Sequence, residues 1–229
     1  MQSDFKGRLV VVTGGSGALG AGVVKALIEA GAQVLDASLP GAKHPFEGHP
    51  QVEYVGVDLT AEDEVTALYA GLKQAPWAAL NLAGGFSMGA LVDTPLDELL
   101  RMFDINVVTS FLSTREAVRA MSAVGRGRVV NVAARPALSP AGLLSAYSIA
   151  KAGVVGLTQS AAEELRGTDI LVNAVAPSII DSPANRAGMP DADHASWPTP
   201  EQLAQAILYL ASPANELTSG AVVPVYGRA

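Results

Sequence analysis

The stretch Leu9-Val-Val-Val-Thr-Gly-Gly-Ser-Gly-Ala-Leu-Gly20 decides the fold of this chain. Its first five residues are apolar or β-branched, which predicts a buried strand over Leu9–Thr13. The glycine-rich turn that follows opens a helical pattern from Gly20 to Ala30, closed by Gly31. A strand, a glycine turn and a helix in this order begin a βαβ unit. The stretch therefore predicts an α/β fold with a parallel sheet.

The rest of the chain continues this alternation of short apolar runs and helical patterns. Further strands are predicted at Gln33–Asp36, Val52–Val57, Ala78–Leu82, Arg128–Val132, Ile170–Val175 and Ala221–Val225. Further helices are predicted at Glu62–Lys73 after a cap at Thr60, at Pro95–Met121 after Thr94, at Ser145–Leu165 and at Thr199–Ala211. Strands that are apolar on both faces and separated by helices indicate a sheet covered on both sides. We predict a single Rossmann-type, doubly wound domain over residues 1–229, with about seven parallel strands and helices on both faces.

Composition excludes several classes of function. Apolar residues make up 49% of the 229 residues and charged residues 16%, which is typical of a globular domain. The net charge of −7, without a Lys/Arg run, argues against nucleic acid and anionic membranes as partners. With no cysteine and three histidines that lack metal-site spacing, we expect no metal. The polar start and the short first apolar run predict neither a signal peptide nor a membrane span, so we expect a cytoplasmic protein.

Two features suggest chemistry. Tyr147 and Lys151 lie four residues apart, so a helix places the phenol and the ammonium on one face. An ammonium at roughly 4 Å would supply about 4 kcal/mol, enough to lower a phenol pKa from about 10 to about 7. The glycine turn presents free backbone N–H groups and a helix dipole to a pyrophosphate, Gly14 allowing the tight turn and Gly20 the close helix–strand approach. Either feature alone can also be purely structural.

Taken in order, these segments resemble the short-chain dehydrogenase/reductase family across essentially the whole length. The matching residues are the Thr13–Gly20 turn, Asp58-Leu59 after the third strand, Asn81-Leu-Ala-Gly84, Asn106, the Tyr147/Lys151 pair and Ala176-Pro177 after the sixth strand. The resemblance implies NAD(P)-dependent hydride transfer with Tyr147 as proton donor or acceptor. Lys151 would bind the nicotinamide ribose hydroxyls and lower the phenol pKa. Asn106 would hold a water that links Lys151 to solvent.

The same resemblance implies a dinucleotide site. Its expected residues are Gly14, Ser16, Gly17, Ala18, Leu19 and Gly20 in the turn, Ser38 at the second strand, Asp58 and Leu59 at the adenine, Asn81, Ala83 and Gly84 on the adenosine ribose side, and Pro177, Ile180 and Ser182 toward the carboxamide. Two of these positions have simpler interpretations. Asn106 can be a core amide that bends its helix, and Asn81 can cap a strand end.

One position departs from the family pattern. Most members carry a serine thirteen residues before the tyrosine, and this chain has Ala134 there. Losing such a donor typically costs about 10²–10³ in rate. Three explanations are open: Ser139 or Ser145 replaces the hydroxyl, the substrate does not need it, or the protein has lost catalysis and senses dinucleotides. Retention of Tyr147 and Lys151 counts against the third.

The second explanation has its own support in a resemblance to the dihydropteridine reductases. They share the Ala18 turn, alanine at Ala134 followed by a basic residue like Arg135, and a segment like Asp181–Trp197. A quinonoid substrate of that kind takes up hydride without a localised alkoxide, so a serine donor matters less. The predicted substrate residues are Ala134, Arg135, Phe86, Met189 and Trp197, with Met88 also available. The aromatic and methionine side chains among them can equally fill the core. An ordinary carbonyl reductase or alcohol dehydrogenase with a displaced serine role is the alternative.

A few positions bear on the choice between NADH and NADPH and on the oligomeric state. The acid that usually ends the second strand in NAD-preferring relatives is replaced by Ser38, and Asp36 lies two residues earlier on the same face. Neither the glycine turn nor Leu39 offers the cation of NADP-preferring relatives, although Lys43 is nearby. We expect NAD(H) or NADP(H), with the missing cation favouring NADH, and a small-molecule substrate. The resemblance also implies a homodimer or homotetramer paired through the two long helices.

Overall fold

Seven parallel strands form one sheet. The structure is a computed structural model that describes residues 5–228. Residues 1–4 and 229, which the predicted domain included, lie outside the described residues. The strands are β1 (Leu9–Thr13), β2 (Gln33–Ser38), β3 (Val52–Gly56), β4 (Ala78–Asn81), β5 (Arg126–Val132), β6 (Asp169–Pro177) and β7 (Val222–Val225). Their order across the sheet is β3-β2-β1-β4-β5-β6-β7. The predicted doubly wound α/β fold is confirmed.

Helices cover both faces of this sheet. They are α1 (Ala18–Glu29), α2 (Glu62–Ala70), α3 (Leu96–Phe103), α4 (Thr109–Ser122), α5 (Arg135–Leu138), α6 (Ser145–Glu164), α7 (Pro183–Gly188) and α8 (Pro200–Ala211). Buried side chains of α1 and α8 pack on one face with residues such as Val12 and Leu80. Buried side chains of α2, α4 and α6 pack on the other face with residues such as Val11 and Val129. Alternate residues of each strand therefore enter two cores, which is why the strands are apolar throughout.

The helix boundaries differ from the predictions where local side-chain chemistry intervenes. The predicted cap at Thr60 is wrong: Ala61 precedes α2, and the Thr60 N–H and hydroxyl bond the Asp58 carboxylate at 2.9 and 2.7 Å. The predicted start after Thr94 is also wrong, because Pro95 is itself the N-cap and the Thr94 hydroxyl donates to the Ala90 carbonyl at 2.8 Å. Thr199 does cap α8, in a reciprocal capping box with Gln202.

The helix predicted over Pro95–Met121 is not continuous. A π-helical turn, Asp104–Val108, separates α3 from α4. Such a turn leaves a carbonyl without its usual helical partner. The Asn106 side chain donates to the Met102 carbonyl at 2.9 Å and so bonds a group that the widened turn exposes. The two short helices α5 and α7 were not predicted.

Candidate active site

The glycine turn is built to leave backbone N–H groups for a ligand. Gly17 is the N-cap of α1 and has no side chain to cap it, so the amides of the first helical turn keep their donors. Gly14 has a φ of +73°, which favours glycine, and its N–H bonds the Ala37 carbonyl at 2.9 Å. A Cβ on Gly20 would overlap the Gly14 carbonyl and the Gly15 backbone. The turn therefore has the shape expected of a pyrophosphate cradle.

Beneath this turn, the end of β2 carries a buried polar cluster. Asp36 is completely buried, and Ser38 is 2% exposed. The Gly15 N–H and the Ser38 hydroxyl donate to Asp36 Oδ1 at 3.0 and 2.8 Å, and Ser38 Oγ lies 3.4 Å from the Ser16 nitrogen. His44 Nε2 contacts Asp36 Oδ2. Asp36 therefore does not reach a ligand directly. The contact of His44 with Asp36 was not predicted from the sequence.

The residues predicted on the adenosine side fall into two groups. The Asn81 side chain is buried, donates to Asn131 Oδ1 at 2.8 Å and accepts from the Ser113 hydroxyl at 2.6 Å. It ties β4 to β5 and α4, so only the Asn81 backbone is left to meet a dinucleotide. Ala83 packs against the glycine turn, where a Cβ on Gly14 would lie 2.9 Å from its Cα. Leu59 is buried, and hydrogen bonds from Thr60 lower the pKa of Asp58.

A cleft of about 500 Å³ opens at the carboxyl edge of the sheet. It lies where the strand order reverses between β1 and β4, the usual ligand position in open α/β sheets. Nine predicted site residues line it: Leu19, Gly84, Phe86, Ala134, Tyr147, Lys151, Pro177, Ile180 and Met189. The cleft thus joins the glycine-turn helix, the Tyr147–Lys151 pair and three of the five expected substrate residues in one space.

Within the cleft, Lys151 is buried and Tyr147 is half-buried. Lys151 is 5% exposed, and its Nζ donates to the Val132 carbonyl at 2.8 Å. Burial lowers the pKa of Lys151 to about 8 and raises the pKa of Tyr147 to about 12. The structure does not show the predicted lowering of the phenol pKa by Lys151: burial is what raises the pKa of Tyr147, and the ammonium lies 6.0 Å from the ring centroid. Tyr147 keeps its proton at neutral pH.

Asn106 lies across the Gly84–Gly85 backbone from Lys151. Its Oδ1 accepts the Gly85 N–H at 3.2 Å, and its Nδ2 donates to the Gly85 carbonyl at 3.2 Å. A Cβ on Gly84 would lie 2.6 Å from Asn106 Oδ1 and 3.3 Å from Lys151 Nζ. Only glycine lets the backbone pass between these two groups. The interpretation of Asn106 as a core amide that shapes its helix is supported, and its water-holding role stays a prediction.

Several predicted residues lie outside the cleft lining. Arg135 stands 5.0 Å over the Tyr226 ring, and Trp197 is buried with its ring 4.7 Å from that of His194. The assignment of both as substrate contacts is therefore not supported by the geometry. Ser182 caps α7 by accepting the Asn185 N–H at 3.2 Å, which occupies its hydroxyl oxygen.

The lining of the cleft shows whether another serine replaces the hydroxyl that is missing at Ala134. Neither Ser139 nor Ser145 is among its lining residues, so the structure does not bring a replacement hydroxyl from these positions. Ser178 does line the cleft, but its hydroxyl donates to the Tyr226 carbonyl at 2.8 Å. Phe86 meets the Tyr147 ring edge-on at 5.0 Å between centroids. The Tyr147 phenol therefore lies beside apolar and aromatic groups.

Comparison with known proteins identifies the family. Residues 8–192 match the family model described as short chain dehydrogenase. The chain belongs to this family. It is 34% identical to cis-4-hydroxycyclohexanecarboxylate dehydrogenase of Sinomonas cyclohexanicum, over 99% of this chain and 98% of the relative. It is 35% identical to galactitol 2-dehydrogenase of Rhizobium johnstonii, over 98% and 96% of the two chains.

Solved structures agree with this assignment. A short-chain type dehydrogenase/reductase from Mycobacterium ulcerans superposes with a TM-score of 0.91 at 25% identity, covering 98% of this chain and 90% of that one. ElxO with NADP bound shares the fold, with a TM-score of 0.88 at 24% identity over 96% and 98% of the two chains. The chain is therefore an oxidoreductase enzyme of the short-chain dehydrogenase type. The dihydropteridine reductase branch is not shown, because these relatives are named as other dehydrogenases.

The part of the chain that the structure describes has neither a cluster of metal ligands nor a membrane-spanning helix. Residues 5–228 contain no group of three or more His, Cys, Asp or Glu side chains that would hold a metal ion. No helix in the same range is both long and apolar enough to cross a bilayer.

Proposed function

We propose that this enzyme is an NAD(P)-dependent dehydrogenase/reductase that uses Tyr147 as its proton donor and acceptor. The observation that carries the proposal is the convergence of Tyr147 and Lys151 on the cleft that Leu19, from the helix after the glycine turn, also lines. A proton donor, a cation and a pyrophosphate cradle at one sheet edge are what hydride transfer to a carbonyl requires. The comparisons support the reaction class.

The chain's residues fit a dinucleotide. The uncapped N-terminus of α1 would hold the pyrophosphate, and the end of β2 at Ser38 would face the adenosine ribose. Asp58 and Leu59 would lie at the adenine, and Pro177 and Ile180 would lie toward the nicotinamide. When bound, NAD(P) supplies or accepts the hydride. Lys151, still largely charged at neutral pH with a pKa of about 8, would hold a ribose hydroxyl and face the phenol.

The proton transfer is assigned to Tyr147. With a pKa raised to about 12, the phenol is neutral at physiological pH and donates its proton as a substrate oxygen gains negative charge. In the reverse direction the same oxygen takes up the proton. Lys151 Nζ, anchored on the Val132 carbonyl, stabilises the negative charge that the phenol oxygen then carries.

Replacing Tyr147 with phenylalanine tests this role. We expect Tyr147→Phe to lower kcat by at least about 10²-fold, the scale of a lost general acid, while the Kd for NADH changes less than threefold. Calorimetry and initial rates on quinonoid dihydropterin, cyclic ketones and polyol-derived ketones provide the measurement. Tyr209→Phe, on exposed α8 surface, is the matched control and should leave both quantities unchanged. Equal turnover in wild type and Tyr147→Phe refutes the assignment.

Two substrate classes fit the cleft. Phe86, Ile180 and Met189 line it with Ala134, which favours a flat or apolar substrate that needs no second hydroxyl donor. This supports a conjugated substrate such as a quinonoid dihydropterin. The names of the two curated relatives, which denote dehydrogenases of a cyclic alcohol and of galactitol, support an ordinary alcohol or ketone instead.

Restoring the missing serine distinguishes these two classes. Ala134 has φ −161° and ψ 159° and is the N-cap of α5, a conformation that serine adopts readily. For an ordinary ketone we expect Ala134→Ser to raise kcat/KM by about tenfold or more. For a conjugated ring substrate we expect a change below threefold. Binding of NADH without turnover on every substrate would favour a dinucleotide sensor over both.

Location and assembly complete the proposal. We place the enzyme in the cytoplasm as one domain that pairs into a homodimer or homotetramer. Exposed apolar side chains on the outer surfaces of α3, α4 and α6 support the pairing: Leu96, Leu100, Phe103, Phe111 and Ile149. Sedimentation of wild type and Phe111→Asp tests this pairing, and we expect the variant to dissociate more readily than wild type. A wild-type monomer at micromolar concentration contradicts the pairing.

A further inference from the structure

Two segments of the cleft lining lie beyond the strands that carry them. One follows β5 and contributes Ala134 and Pro136, and the other follows β6 and contributes residues from Ser178 to Met189. The paired register of β5 and β6 ends at Val132 and Val175, so the sheet alone does not fix the distance between the two segments. The width of the substrate end of the cleft therefore depends on contacts outside the sheet.

Tyr226, the residue after β7, contacts both segments. Its carbonyl accepts the Ser178 hydroxyl at 2.8 Å. Its ring centroid lies 5.0 Å from the guanidinium carbon of Arg135, which is a cation–π distance, and Arg135 stands between Ala134 and Pro136 in the chain. Tyr226 is half-buried and is not among the residues that line the cleft. It therefore acts on a substrate only through its neighbours.

The turn after β7 also holds the far end of the α7 segment, which we define as residues 181–197. The Arg228 N–H donates to the Ser196 carbonyl at 2.8 Å. Gly227 has a φ of +68°, and a Cβ there would lie 2.5 Å from the same carbonyl oxygen. Since Ser178 precedes the α7 segment and Ser196 lies at its end, the turn after β7 contacts the chain on both sides of this segment.

We infer that Tyr226 is a positioning residue that sets the affinity for substrate by joining the α5 side of the cleft to the α7 side. This inference rests on the proposed function, because it concerns the substrate end of that same cleft. An enzyme whose free cleft already has its binding geometry has a larger binding-competent fraction, and the apparent affinity rises with that fraction. Tyr147 and Lys151 stand on α6, and the pyrophosphate cradle lies at α1. We therefore expect Tyr226 to act on KM far more than on kcat or on the Kd for NADH.

Steady-state kinetics with quinonoid dihydropterin and with cyclohexanone test this role. Tyr226→Leu removes the ring and keeps the carbonyl. We expect it to raise KM about threefold to fivefold, the scale of an exposed cation–π contact, while kcat changes less than about twofold and the Kd for NADH less than about threefold. Tyr226→Phe keeps the ring and should have the wild-type KM. Tyr209→Leu, the same change on the exposed surface of α8, is the matched control and should leave KM unchanged.

A double-mutant cycle with Arg135 identifies the contact that the Tyr226 ring makes. Arg135→Gln removes the cation, so we expect the same rise in KM of about threefold to fivefold. Because the two side chains share one contact, the double variant Arg135→Gln/Tyr226→Leu should also raise KM by no more than about fivefold. Independent effects would multiply to about tenfold or more, and that result would overturn the inference.

Hydrogen exchange of the ligand-free proteins, measured by mass spectrometry, follows the α7 segment without any substrate. We expect Tyr226→Leu to make the amides of residues 181–197 exchange at least about threefold faster than in wild type. Ser178→Ala, which removes the hydroxyl that the Tyr226 carbonyl accepts, should have the same effect. The Asp181 amide, which donates to the Pro198 carbonyl at 2.9 Å, reports on the base of the segment. Peptides from α1 should exchange as in wild type.

Failure of this inference and failure of the proposed function give different results. A wild type without turnover on any substrate overturns the proposed function, and the exchange rates then decide whether Tyr226 holds the α7 segment. With an active wild type, the inference is overturned by an unchanged KM or unchanged exchange in Tyr226→Leu, by a loss of kcat in place of a rise in KM, or by a Tyr226→Phe variant that is equally impaired. Thermal unfolding checks that each variant is folded. Should Tyr226→Leu fail to fold, the Arg135→Gln result decides the question.

Discussion

Replacing Lys151 with methionine should change the pH dependence of stability in a direction that the structure determines. Burial lowers the pKa of Lys151 from 10.5 to about 8. Each pKa unit corresponds to about 1.4 kcal/mol, so the charged lysine costs the folded state about 3 kcal/mol at pH 7. Between pH 8 and 10.5 the folded protein has lost this proton and the unfolded chain still holds it, so stability rises with pH. By pH 10 the penalty should have fallen to about 1 kcal/mol.

Urea unfolding at pH 7, 8, 9 and 10 measures this effect. Lys151→Met carries no charge, so its stability relative to wild type should decrease by about 2–3 kcal/mol from pH 7 to pH 10. Tyr147, whose raised pKa lowers stability above pH 10, is present in both proteins and cancels in the difference. Lys25→Met is the control, because the Lys25 side chain is 58% exposed and keeps its water in both states. Parallel pH curves for Lys151→Met and wild type would show that the buried ammonium carries no such cost.

Two further predictions concern the elements that build the site. A Cβ at Gly15 would overlap the Asp36 carboxylate, so we expect Gly15→Ala to lower the free energy of unfolding by about 2 kcal/mol or more and to weaken dinucleotide binding about tenfold. Gly156→Ala is the control: Gly156 has open space on α6, so its free energy of unfolding, measured with urea, should rise by up to about 1 kcal/mol. An unchanged Gly15→Ala protein would contradict the tight approach. Thr199→Ala removes the capping box with Gln202 and should cost about 1 kcal/mol, with Thr199→Ser restoring most of it; equal losses in both would mean that the hydroxyl is not the source.

The strands and the edge of the sheet that carries the cleft were predictable because their signals are local. Each strand is a short apolar run, and parallel strands present their carboxyl ends at one edge, so Tyr147, Pro177 and Gly84 meet there whatever the details of the loops. The glycine turn could be located for the same reason, since its Gly14 and Gly20 are required by backbone geometry.

The failed predictions concern properties that depend on the surroundings of a residue. The phenol pKa depends on how far Tyr147 is withdrawn from water, and the sequence records only that a lysine is four residues away. His44 approaches Asp36 through the path of a loop, for which no periodic signal exists. Trp197 was assigned to the substrate because it ends the segment Asp181–Trp197 that resembles the dihydropteridine reductases, but large apolar residues fill cores as readily as clefts. Thr60 failed as a cap because its N–H and hydroxyl turn to the Asp58 carboxylate, and α2 begins two residues later with Ala61 as its N-cap.

The π-helical turn between α3 and α4 has a consequence for how this chain can change in evolution. A π-helical turn holds one residue more than an α-helical turn, so Asp104–Val108 can lose one residue and close as regular α-helix. The helix after it would keep its phase, and Leu112, Ala117 and Met121 would still face the sheet that buries them. Loss of a single codon is therefore tolerable in this segment, whereas the same loss within α4 would turn every later side chain of that helix by about 100°.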